Sequence, residues 1–201
     1  MKQQIVVIHG GETFDTYEEY LTFLRGMELD FARSQQKFWK ESLAEDLGDA
    51  YELIFPRMPN ALNAKYAEWK IYFDKYIPYV RDGVILIGHS LGGIFLAKYL
   101  SEQTLPLRVA GTLLLAAPHD AHGSPYSLSD FALPESLELF AQQGGSIYLF
   151  HSTDDPVVKY ADVESFARRL PHAQKVLFTD RGHFVTEKFP ELIDTIKELA
   201  K

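Results

Sequence analysis

The chain has 201 residues, 46% hydrophobic and 24% charged, which is enough apolar material for one packed domain and too much for intrinsic disorder. Twenty Lys and Arg against 28 Asp and Glu give a net charge of −8, the wrong sign for a nucleic-acid partner, whose phosphates are held by clustered cations. With no cysteine, thiol nucleophiles, disulfides, iron–sulfur clusters and cysteine zinc sites are excluded.

Six short β-rich runs follow one another: Ile5–Ile8, Glu52–Phe55, Val84–Ile87, Val109–Ala116, Ile147–Phe150 and Lys175–Phe178. Most are continuously apolar, as strands buried on both faces of a parallel sheet must be. None approaches the ~18 residues of a membrane span, and the first is too short for the apolar stretch of a signal peptide, so a cytoplasmic chain without a membrane partner is expected. Between the first two runs, Gly11–Tyr51 leaves room for two helices, about Thr16–Arg25 and Ser34–Glu45. Leu62, Tyr66, Trp69, Phe73 and Tyr76 step by four and three and predict an amphipathic helix, as do Tyr160–Leu170 and Leu192–Leu199. Pro134 and Pro190 each suit a first helical turn. Strands alternating with helices predict a doubly wound α/β fold, mainly parallel, with helices on both faces, in a single domain spanning residues 1–201.

Gly88-His89-Ser90-Leu91-Gly92 lies between the third strand run and the helical stretch Ile94–Leu100. The pattern G-x-S-x-G at a strand-to-helix turn is a nucleophile elbow, in which small flanking residues let neighbouring backbone come close to a strained serine. The spacing does not fit the dinucleotide pattern G-x-G-x-x-G. A serine needs a base, and the base a carboxylate. His183, in Asp180-Arg181-Gly182-His183-Phe184, directly follows the last strand run, at the end of the sheet where open α/β folds place their sites. His151 ends the fifth run, and His172 sits in a helix-to-strand connection at the opposite edge. His119 and His122 share the long loop after the fourth run and either line a pocket or are solvated. The acid is Asp154 or Asp155, in Ser152-Thr153-Asp154-Asp155-Pro156. Serine, aspartate, histidine is the chain order of one triad class. The expected oxyanion donors are the N–H of Leu91 and, from His9-Gly10-Gly11-Glu12 after the first strand run, that of Gly11, with Gly10 or Glu12 as equal alternatives. A strand order 2-1-3-4-5-6 makes these two loops neighbours. Gly10, Glu12, His89 and His119 are further candidates for the substrate pocket.

These segments resemble the α/β-hydrolase superfamily over essentially the whole chain. Within it, they are most similar to the small cap-less serine hydrolases of the retinoblastoma-binding-protein-9 and YdeN type. Beyond Gly88–Gly93, the resemblance is carried by Pro56-Arg57-Met58-Pro59-Asn60, Trp69, Ser152–Pro156 and Gly182-His183-Phe184. It implies a triad of Ser90, Asp155 and His183 and no separate cap domain. Pro156 also restricts the backbone of Asp155, and adjacent side chains of an extended segment point apart, so one aspartate alone can face the histidine. The expected activity is hydrolysis of a small carboxylic ester or thioester through an acyl-enzyme on Ser90, with no cofactor and no metal. Amidase, peptidase or acyltransferase chemistry can use the same triad, and a noncatalytic interaction module can keep the fold. The intervals Thr13–Phe31 and His119–Phe131 are expected to shape the pocket. A metal site would have to start from His119-x-x-His122, the one near pair of histidines.

Overall fold

The computed structural model describes residues 2–29, 37–120 and 127–201. In chain order the elements are β1 (Gln3–Ile8), α1 (Tyr17–Gly26), α2 (Trp39–Leu47), β2 (Tyr51–Ile54), α3 (Tyr66–Asp74), β3 (Val84–His89), α4 (Leu91–Glu102), β4 (Val109–Leu115), α5 (Glu138–Gln143), β5 (Ser146–Ser152), α6 (Tyr160–Arg169), β6 (Gln174–Phe178) and α7 (Pro190–Leu199). The six strands form one sheet in the order β2-β1-β3-β4-β5-β6, with every neighbouring pair parallel. All six predicted runs are strands, and the order is the expected one.

The continuous apolar runs are explained by burial on both faces. Val6 and Ile8 of β1, Leu86 of β3 and Leu149 of β5 pack on the side of α3, α4 and α6, where Trp69, Phe73, Phe95 and Phe166 fill the core. Ile5 and Val7, Ile85 and Ile87, and Phe150 point the other way, onto Trp39 and Leu43 of α2 and Leu192 and Ile196 of α7. Edge strand β6 is mostly exposed.

Helix starts follow local chemistry. Thr16 accepts the N–H of Glu19, and the Glu19 carboxylate accepts that of Thr16, fixing the start of α1. Pro190 opens α7, where its missing N–H costs nothing. Helix α2 begins at Trp39, where the Glu41 carboxylate accepts the Phe38 N–H at 2.9 Å, and the expected start at Ser34 lies outside the described residues. One expectation needs correction. Pro134 does not open a helix. It lies in the connection before α5, where its carbonyl accepts from Arg169.

Candidate active site

Strand β3 ends at His89 and α4 starts at Leu91, so Ser90 alone makes the turn, with φ 55° and ψ −124°. A non-glycine residue at positive φ is strained by about 1–3 kcal/mol and persists only where its surroundings enforce it. Here the Ser90 N–H donates to the Leu115 carbonyl at 2.8 Å and the Ser90 carbonyl accepts from Gly93 at 2.8 Å. The flanking glycines leave no room for a side chain. A Cβ on Gly88 would lie 2.4 Å from the Gly92 carbonyl oxygen, and one on Gly92 would lie 2.4 Å from that of Ile8. The turn is thereby pressed against the end of β1, and the half-buried Ser90 faces a cavity of about 490 Å³. Its hydroxyl makes no hydrogen bond to a described residue.

His183 lines the same cavity and follows β6. Its Nδ1 lies 2.8 Å from Asp155 Oδ2, and the Asp155 side chain is fully buried. A carboxylate only accepts, so the proton is on Nδ1 and Nε2 carries the lone pair. The other carboxylate oxygen of Asp155 accepts the N–H groups of Val157 (2.8 Å) and Val158 (3.0 Å). Burial by itself would raise the Asp155 pKa; His183 and these two N–H groups outweigh it and hold the carboxyl below its ordinary range. Asp154 has a different task. Its Oδ1 accepts the Ser152 hydroxyl and the Gly182 N–H at 2.9 Å, while Ser152 Oγ accepts the Arg181 N–H at 3.0 Å. It thus ties the end of β5 to the loop that carries His183.

The β1 loop crosses beside the elbow. A Cβ on Gly10 would sit 3.1 Å from Ser90 Cβ, and one on Gly11 would sit 3.3 Å from Leu91 Cδ2. His9 Nε2 accepts the Met58 N–H at 3.0 Å, so its Nδ1–H donates to the Gly10 carbonyl at 2.6 Å and sets the Gly10–Gly11 peptide plane. The Glu12 N–H donates to the Ala61 carbonyl at 2.8 Å. That removes Glu12 as an alternative oxyanion donor and leaves Gly10 and Gly11. The Glu12 side chain does line the cavity, and burial pushes its carboxyl upward by more than the nearby His183 draws it down.

Further lining comes from Thr13, Asp120, Ser127 and Leu128 of the two long intervals, from Pro118 after β4, from Val157, Val158, Lys159 and Asp162 after β5, and from His89 and Lys40. His89 is buried. Its Nε2 donates to the His183 carbonyl at 2.9 Å, and its Nδ1 accepts from Lys40 Nζ at 3.1 Å. His119 does not line the cavity: its ring packs edge-on against Phe166, with Asp120 on Nδ1 and Arg169 beside Nε2. Buried His151 has no partner for Nε2 among the described residues, and His172 lines a separate surface depression. His122 lies outside the described residues, and among those described no three His, Asp or Glu side chains form a metal-binding group.

Sequence reasoning missed Lys40. It stands three residues before Leu43 and seven before Leu47, both buried, so a cation on the margin of α2's apolar stripe was the available signal.

The family model described as serine hydrolase matches residues 30–197. The rat serine hydrolase RBBP9 is 28% identical over 151 residues, covering 74% of this chain and 78% of the relative. The structure of the ydeN gene product of B. subtilis superposes with a TM-score of 0.73 at 17% identity, covering 99% of both chains. An esterase of Exiguobacterium antarcticum gives a TM-score of 0.64 at 15% identity, over 99% of this chain and 92% of that one. With a six-stranded sheet of the same order as read from the sequence and a match over most of its length, the chain belongs to the serine hydrolase family, as an α/β-hydrolase of the RBBP9 and YdeN type.

Proposed function

We propose that the protein hydrolyses a small carboxylic ester or thioester through an acyl-enzyme on Ser90, with His183 as general base and acid, Asp155 as its orienting carboxylate, and no cofactor. The observation that carries this reading is the shared cavity of a strained Ser90 and a histidine whose Nδ1 proton is held by a buried carboxylate. His183 Nε2 takes the hydroxyl proton as Ser90 Oγ attacks the carbonyl carbon. The N–H groups of Leu91 and Gly11 stabilise the tetrahedral oxyanion. When the intermediate collapses, Nε2–H protonates the leaving alcohol or thiol, and the acyl group stays on Ser90. Water, deprotonated by the same nitrogen, then releases the acid and restores the serine.

Esters are preferred to amides because an alcohol or thiol leaves more readily than an amine. With residues 1–201 read as one cytoplasmic domain without a separate cap, the substrate is a small molecule. A fluorophosphonate probe tests the chemistry: the intact protein is expected to label on Ser90 and the Ser90→Ala variant to remain unlabelled. Folded wild-type protein that fails to label refutes the hydrolase mechanism.

A further inference from the structure

The mechanism leaves the charged groups of the cavity wall unused, Lys40 among them. Lys40 reaches the cavity wall from the first turn of α2, beside Trp39, whose ring lies 5.4 Å from its ammonium. An ammonium has three donors. One goes to His89 Nδ1, a neutral acceptor, and among the described residues Lys40 makes no ion pair. Burial, and to a lesser degree the Lys40 charge, keep both His9 and His89 below the ordinary histidine range. Burial pushes the Lys40 ammonium itself down to about 8, with only Glu41 pulling the other way, so it is still charged at neutral pH. A half-buried ammonium that makes no ion pair is costly unless an anion arrives.

The other charged groups of the lining differ. Asp162 accepts the N–H groups of His119 and Asp120, and Asp120 is bonded to His119 Nδ1. Together with Glu12 they place three carboxylates in the wall against Lys40 and Lys159. With three carboxylates against two lysines the wall already carries one negative charge in excess, so an anion is held only in direct contact with Lys40, and a dianion such as phosphate is disfavoured more than a monoanion. We propose that Lys40 is a substrate-anchoring residue that binds a carboxylate carried by the ester, so that the preferred substrates are monoanionic hemiesters or esters with an acidic leaving portion. The assignment rests on the esterase reading for its substrate class, and on the Lys40 geometry alone for the anion site.

The test compares kcat/KM for two matched pairs: mono-p-nitrophenyl glutarate against p-nitrophenyl pentanoate, with the carboxylate on the acyl side, and 4-carboxyphenyl butyrate against 4-carbamoylphenyl butyrate, with it on the leaving side. Wild-type protein is expected to favour the carboxylate member of one pair by about tenfold or more, the worth of one charge-assisted hydrogen bond. The ratio is expected to fall to about one in Lys40→Met and to survive largely in Lys40→Arg. Lys40→Gln repeats the loss with a polar end left beside His89, in case methionine disturbs folding. A wild-type ratio near one for both pairs, or a preference that persists without Lys40, overturns the proposal. Calorimetric titration with monomethyl glutarate gives a second readout independent of turnover. Binding in the wild type that weakens about tenfold in Lys40→Met supports the anion site even if no ester is hydrolysed, which would refute the hydrolase mechanism alone. Absent or unchanged binding, or tighter binding of inorganic phosphate, overturns the carboxylate site.

Discussion

Replacing Asp155 by asparagine changes one atom in a buried network, and the network decides which way the amide turns. One carboxylate oxygen receives two backbone N–H groups, from Val157 and Val158, and the other receives His183 Nδ1–H. Were the amide nitrogen to face the two backbone donors, both bonds to the amide oxygen would be lost, at ~0.5–1.5 kcal/mol each. The amide oxygen therefore keeps the backbone side, and the NH₂ group faces His183. Nδ1 must then accept, so the proton moves to Nε2, the atom that has to take the Ser90 proton. On the proposed mechanism Asp155→Asn lowers kcat by about a thousandfold or more, roughly 4 kcal/mol or more in the barrier, without unfolding the protein. Asp154→Asn keeps an oxygen that can accept from Ser152 and Gly182, and kcat is expected to stay within about tenfold. Turnover of p-nitrophenyl butyrate, with circular dichroism and thermal melting as fold controls, measures both. A reversed ranking, or Asp155→Asn within tenfold of wild type, refutes the assignment of the acid.

Gly92→Ala puts a methyl group 2.4 Å from the Ile8 carbonyl oxygen and 2.5 Å from that of His9, where only backbone can move; a loss of about 3 kcal/mol or outright insolubility is expected, and a urea midpoint unchanged within error would contradict the elbow packing. Lys40 gives a signed pH dependence. Its folded value of about 8 lies below the 10.5 of a free lysine, so between those pH values the unfolded chain binds more protons and this group's share of stability rises with pH. The gap costs at most about 3 kcal/mol below pH 8, at 1.36 kcal/mol per pH unit. Lys40→Met is therefore expected to be more stable than wild type at pH 7, with the difference shrinking toward pH 10.5; a difference that does not vary with pH would falsify the burial argument. On the esterase reading, a cavity of about 490 Å³ turns over short acyl chains faster than long ones, and a clear preference for acyl chains of about ten carbons or more would contradict it.

The sequence by itself determined the sheet and the position of the elbow, because both are local. A run such as Val84–Ile87 is apolar at every position only if two faces are covered, and Gly88, Ser90 and Gly92 bring their steric demands into five consecutive residues. It also narrowed the candidate acid to two adjacent aspartates, and the resemblance and Pro156 pointed to Asp155. The contacts that separate those two were decided only in the tertiary structure. Asp155 meets His183 across 28 residues, while Asp154 meets Gly182 across the same gap, and which of the two turns inward depends on how two loops close on one another. The same holds where expectation and structure part. Glu12 gives its N–H to Ala61, His119 turns onto Phe166, and Pro134 serves Arg169 with its carbonyl, each through a partner distant in the chain. Lys40 shows the point most clearly. On a helix surface it is an ordinary lysine, and it becomes part of the cavity because Trp39 and Leu43 pin α2 against the sheet, bringing its ammonium to His89, 49 residues away.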